Sequence, residues 1–214
     1  MNKEGTMPNS NDESGFDYLL VLDFEAQCIE DGKLEVQEII EFPVLVIDSH
    51  SQNILEKYFH AYVRPTINPN LYPFCMELTG ITQEQVDKGN PLEETLYNLH
   101  LFLEENKIIS SNFVFVTCGD WDLRNCLKKE TRSKKIQYRN YLKNYINLKK
   151  VFRSFIGLDE KTMVDMVSML NEFNIKLEGR HHSGIDYAKN IAKIIVHLLK
   201  KGQKFTKKFV SLVK

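Results

Sequence analysis

The stretch Asp17–Ala26, reading DYLLVLDFEA, constrains this chain more than any other. Apolar residues run unbroken from Tyr18 to Leu22, the pattern of a strand buried on both faces. Two carboxylates follow, Asp23 and Glu25, with Phe24 between them. Strand residues two apart share a face, so the carboxylates point one way and Phe24 points into the core. Neighbouring carboxylates at the end of an apolar strand repel each other and lose hydration. A hard divalent cation such as Mg²⁺ or Mn²⁺ relieves both, because it prefers oxygen ligands. The alternative is a strand that simply runs out into a polar loop. These residues alone leave both readings open.

The chain has 214 residues, enough for one domain with a sizeable core. Its apolar runs are too short to cross a bilayer, so no membrane partner is expected. Met1–Glu13 is polar and lacks the apolar core of a signal peptide. Cys28, Cys75, Cys118 and Cys126 show no CxxC spacing. They read as reduced thiols of an intracellular protein, cytoplasmic or nuclear, rather than a zinc site or a disulfide frame. The net charge of −1 gives no global basic balance. From Arg124 to Arg153, however, every charged residue except Glu130 is basic. That stretch is either a solvated helix surface or a face for a polyanion.

Residues 1–15 read as a disordered tail. After the first strand, Glu38–Asp48 and Ile54–Val63 read as two more strands of an antiparallel meander. Pro73–Leu78 reads as one helical turn stopped at Gly80, and Thr82-x-x-Gln85 as a capping box opening a short helix. Pro91–Asn106 has the leucine spacing of an amphipathic helix, and Asn112–Thr117 is another buried strand. Cys118–Leu123 turns from strand to helix. There Asp120 reads as an N-cap and Asp122 as a first-turn residue facing back to the strand ends. Residues 130–146 show no clear period. Lys149–Phe155 and Met163–Phe173 read as helices. Ser183-x-x-Asp186 reads as the capping box of a last helix reaching about Lys200. Residues 202–214 form an edge strand or a basic tail. The order predicts an α/β fold: a mixed sheet, antiparallel meander plus parallel strands, flanked by helices.

An acid pair, a later Asp at a strand-to-helix turn and a His before a C-terminal helix form one catalytic outline. Divalent ions held by carboxylates clamp a phosphodiester, and a nearby His accepts the proton of the attacking water. Six ordered blocks carry a specific resemblance: Leu22–Ala26; Gln37–Pro43; Pro73–Cys75 with Leu78–Ile81; Phe115–Leu123; Ile146–Lys150; and His182–Asp186 with Lys189–Ala192. Over residues 18–199 the chain resembles the DEDDh 3′-to-5′ exonucleases, whose fold is RNase H-like. Within them it is most similar to the eukaryotic exoribonuclease branch that includes Snipper, the histone-mRNA exonuclease and the prion-protein-interacting exoribonuclease.

The resemblance implies a domain over residues 16–201, two Mg²⁺ or Mn²⁺ ions, and single-stranded RNA 3′ ends as substrate. DNA remains possible, as does a protein partner for targeting. By the same resemblance Asp23, Glu25 and Asp122 hold metal, Glu25 and His182 are catalytic, and His182 is the general base. Glu25, Ala26, Leu78, Thr79 and His182 face the nucleotide. One position departs from the pattern: Tyr187 stands where the family has its fourth metal carboxylate. Asp186 is the substitute ligand if the helix start shifts, or if His181 and Asp186 form the working pair. The other reading is a disabled nuclease fold that binds RNA 3′ ends or a protein. The lone Trp121 is either core or a stacking surface.

Overall fold

The computed structural model describes residues 15–213. The predicted tail at 1–15 lies outside the described residues apart from Gly15, which bridges to Thr206. Strand β1, Tyr18–Leu22, alternates its side chains between two apolar layers. Leu19 and Val21 enter one cluster, Leu20 and Leu22 the other. That double burial explains the unbroken apolar run.

Around β1 the chain builds an eight-stranded mixed sheet. The short β2 (Glu25–Ala26) and the long β3 (Ile39–Asp48) follow. Strand β3 runs antiparallel to β1, pairing Leu20 with Val46. Beyond it lie β4 (Asn53–Ile54) and β5 (Phe59–Tyr62), both antiparallel to β3. The single third strand expected at 54–63 is therefore two, because the chain leaves the sheet at residues 55–58. On its other side β1 pairs in parallel with β6 (Phe113–Thr117), which pairs in parallel with β7 (Asn144–Asn147). The antiparallel edge strand β8, Val210–Leu212, closes the order.

Helix α1 (Pro73–Thr79) ends on Gly80 in the left-handed region, φ 74°. Helix α2 (Gln83–Asp87) carries the Thr82/Gln85 capping box, and α3 (Leu92–Glu105) buries Leu92, Leu96, Leu99 and Leu103. A π-helix, Trp121–Leu127, leads into α4 (Lys128–Lys134). Helices α5 (Leu148–Ile156), α6 (Met166–Glu172) and α7 (Gly184–Lys200) cover the face that receives Leu19 and Val21. Strand β7 and helix α4 fall in the stretch that shows no sequence period. In β7 only Tyr145 and Ile146 are apolar, too few to set a rhythm.

Candidate active site

The C-terminal ends of the parallel strands β1, β6 and β7 come together, the place where α/β sheets gather function. Asp23 follows the last residue of β1, and Glu25 opens β2. Phe24 turns away into the core, edge-on to Phe42 with ring centroids 4.4 Å apart. Past β6 the π-helix brings in Asp122, only 4% exposed. Its Oδ1 accepts the Phe24 N–H at 2.9 Å, which ties the ends of β1 and β6. Single π-helical turns recur at functional sites, and this one sets the direction of Asp122.

Asp120 does not cap that helix with its side chain. Its Oδ1 instead accepts from the Tyr145 hydroxyl at 2.7 Å and Asn147 Nδ2 at 2.9 Å. The N-cap expectation is corrected: two donors on β7 outcompete the helix N–H groups, and Asp120 laces β6 to β7.

The carboxylates crowd one another. Burial, then the charges of Asp122, Glu25 and Glu41, push Asp23 well above the ordinary carboxylate range. Burial, then Glu41 and Asp122, raise Glu25 to about 8. Burial also raises Asp122, against the opposing Phe24 N–H and Lys149. Lys149 and Arg180 are the nearby cations, favouring ionised Asp23 and Glu25 respectively. Among the described residues no salt bridge reaches Asp23, Glu25 or Asp122. Nor is any group of three His, Cys, Asp or Glu side chains among them drawn together as a ready-made metal site. The donor chemistry itself, several oxygen ligands with surplus negative charge, suits Mg²⁺ or Mn²⁺.

His182 sits two residues before α7 with φ 60°, a left-handed conformation uncommon for a non-glycine residue. Burial, His181 and Arg180 lower its pKa, so the imidazole is neutral near pH 7 and free to accept a proton. It lines a cleft of about 640 Å³ with Pro73, Phe74, Leu78, Arg180 and His181. Leu78 reaches this cleft. Thr79 is buried, its hydroxyl donating to the Cys75 carbonyl at 2.8 Å, and Ala26 is buried beside the same cysteine.

The last motif is arranged differently from the sequence expectation. Ser183 stands at the N-cap, but its side chain caps no backbone N–H of the helix and bonds the Asp186 carboxylate instead. The capping box is corrected: Glu41, the third residue of β3, accepts the Gly184 N–H at 2.9 Å and the Ile185 N–H at 3.3 Å. Asp186 Oδ2 accepts the Arg180 N–H at 2.9 Å, and its Oδ1 meets Lys189 Nζ at 3.1 Å. Both its oxygens are thus engaged within its own loop and helix. The Tyr187 hydroxyl bonds His181 Nδ1 at 2.8 Å. Burial, with the charges of Asp23 and Glu25, pushes this phenol to about 12, so it stays neutral.

Glu41, Lys149 and Arg180 received no role from the sequence. Glu41 had a visible signal, a lone acid inside the apolar strand EIIEFPVLVID. Arg180 had none, since its role rests on a fold that brings it over α1, where it donates to the Glu77 carbonyl at 2.7 Å. Trp121 is 38% exposed and so is not core. Of the basic stretch, Lys134 turns inward to Glu38 and Glu130, unavailable to a polyanion.

A mixed sheet of this order, with acids at the ends of β1 and β6 and a histidine before α7, defines an RNase H-like nuclease fold. The exonuclease (RNase T) family model matches residues 20–195. The human protein ERI1 exoribonuclease 3 is 39% identical over 189 residues, covering 87% of this chain and 55% of that protein. The nuclease domain of 3′hExo, a DEDDh family member, bound to rAMP, superposes with a TM-score of 0.83 at 34% identity, covering 89% of this chain and 96% of that one. A 3′-exonuclease solved in 3′-end-specific recognition of the histone mRNA stem-loop gives 0.80 at 32%, covering 94% and 92%. The chain belongs to the exonuclease family, and within it to the DEDDh exoribonuclease branch. It spans about half the length of the curated relatives it matches.

Proposed function

We propose that this protein is a 3′-to-5′ exoribonuclease, hydrolysing phosphodiesters from the 3′ ends of single-stranded RNA and releasing nucleoside 5′-monophosphates. The observation that carries the reading is the crowding of Asp23, Glu25 and Asp122, which no salt bridge among the described residues relieves. Exoribonuclease relatives and a neighbour that recognises an mRNA 3′ end support RNA as the substrate. They also favour the enzyme over a disabled binding module.

Asp23, Glu25 and Asp122 would hold the ions, Mg²⁺ or Mn²⁺. Bound divalent ions supply polarisation of water and stabilisation of the leaving oxygen. Neutral His182 takes the proton of the attacking water. Phe74 and Leu78 offer an apolar wall to the terminal base or sugar, and Arg180 a positive charge. With Asp186 engaged by Arg180 and Lys189, and Tyr187 neutral, the ion position normally completed by a fourth acid is weaker. The protein therefore works at raised metal concentration. The four free thiols support an intracellular setting, cytoplasmic or nuclear.

The test is degradation of a 5′-labelled single-stranded RNA in Mg²⁺ and in Mn²⁺, with matched DNA in parallel. Wild type yields a ladder of 3′-shortened products, Glu25→Ala yields none, and Tyr187→Asp reaches the same rate at lower metal concentration. A wild type that leaves the RNA intact in both metals rejects the reading. Faster loss of the DNA reassigns the substrate.

A further inference from the structure

Glu41 is the acid that joins three parts of the site. It lies on β3, 2% exposed, with its side chain under the N-terminus of α7. Its two oxygens accept the first two helical N–H groups, Gly184 and Ile185, and Oε1 also meets His60 Nε2 on β5 at 2.8 Å. A carboxylate there meets both the unpaired N–H groups and the positive end of the helix dipole. Gly184 is packed so closely that a Cβ would stand 2.7 Å from the Asp23 carbonyl and 3.1 Å from Glu41 Oε2. One carboxylate thus clamps the start of α7 against the strand end that bears Asp23.

Two residues upstream, His182 occupies its left-handed conformation. Such backbone persists only where its surroundings over-determine it. The turn is fixed at one end by the Arg180 N–H on Asp186 and at the other by Gly184 on Glu41. We infer that Glu41 is a positioning residue, which holds His182 in register with the Asp23 and Glu25 carboxylates through the α7 N-terminus. The inference rests on the exoribonuclease reading and adds to Asp23, Glu25 and Asp122 a fourth acid that touches neither substrate nor, in this arrangement, metal.

Glu41→Gln keeps the size but turns an amide donor toward a site lined by donors. In the holoenzyme it lowers kcat about 10- to 100-fold, as losing a supporting partner does at comparable sites. RNA affinity measured in EDTA stays within about twofold, an effect too small to account for that loss in kcat. His60→Ala removes only the outer donor and gives a smaller kcat loss of the same kind. It serves as the deciding variant if Glu41→Gln does not fold. Wild-type kcat in folded Glu41→Gln overturns the inference. So does a kcat loss matched by lost RNA affinity, or an unchanged His60→Ala should that variant decide. NMR separates this from failure of the activity itself. If wild type cleaves nothing, shifted His182 ring and Gly184 amide resonances in Glu41→Gln still support the inference, and unshifted ones overturn it.

Discussion

Two buried acidic clusters lie near each other around β2 and the start of β3, and they are built to opposite ends. In one, Glu38 and Glu130 are both fully buried, with Lys134 between them at 2.7 and 2.6 Å. Glu38 also accepts the N–H groups of Thr66, Ile67 and Asn68, and Glu130 accepts that of Ile39. Burial works against ionised Glu38, but Lys134 and those donors outweigh it and lower its pKa. In the other, Asp122 accepts the Phe24 N–H and its own backbone N–H, while Lys149 and Arg180 act on Asp23 and Glu25 only from a distance. The first cluster is satisfied internally and pins the 64–70 loop and α4 to β3. The second keeps its charge unmet, which costs stability and leaves affinity for a cation. Location among acids does not mark a site; unmet charge does.

The sharpest break between the clusters comes from removing one member of each. Glu25→Ala abolishes nuclease activity by at least about a thousandfold, since metal-assisted stabilisation is worth several kcal/mol. Its metal-free melting temperature at neutral pH holds or rises, because the cost of keeping the buried Glu25 protonated above its ordinary pKa has gone. Lys134→Met does the reverse. It strands two buried carboxylates, costing about 3–5 kcal/mol. At about 2–4 °C per kcal/mol, the melting temperature falls by roughly 6–20 °C. Activity per folded molecule is retained. Thermal melts and the RNA ladder, run on both variants, check both halves. A Glu25→Ala protein that melts well below wild type would make the two clusters alike.

The pH dependence sharpens the same contrast. Glu25 titrates at about 8 in the folded protein. In the unfolded chain a Glu titrates near about 4.3. Between those values the folded state holds the extra proton, so its stability falls as pH rises. The metal-free protein therefore melts at progressively lower temperature from pH 5 to pH 8. Glu25→Gln flattens this slope, and added Mn²⁺ opposes it. Melting curves across that range, with and without EDTA, measure the effect.

The sequence made one cluster readable and hid the other for a physical reason. Asp23 and Glu25 sit at the end of an apolar strand, where charge has no local explanation, and Asp122 and His182 flank helix starts. Those are local signals. Glu38, Glu130 and Lys134 come from β3's edge and α4, and their meeting depends on the tertiary fold. Glu41 lies between these cases: its burial was legible in β3, its partner was not, because the Gly184 N–H lies 143 residues away. The stretch 130–146 hid β7 because a four-residue strand with two apolar side chains carries no period. The same limit produced the misread capping box, since Ser183-x-x-Asp186 has the right local form and a distant acid does the capping.

The starts of α6 and α7 provide the smallest and cleanest test of that last point. At α6, Asp165 accepts the Ser168 N–H at 2.7 Å, and Ser168 Oγ accepts the Asp165 N–H at 3.0 Å, a complete reciprocal box. At α7, Ser183 contributes no such bond. Asp165→Ala should therefore cost about 1 kcal/mol, the ordinary value of a lost N-cap. Ser183→Ala should stay within about 0.5 kcal/mol, as a substitution away from a cap does. Urea unfolding of the two variants beside wild type resolves the difference, provided the m-value is unchanged. Equal losses would return the cap of α7 to Ser183 and reduce Glu41 to a second acceptor. A loss confined to Asp165→Ala leaves the start of α7, and the turn that carries His182, dependent on β3.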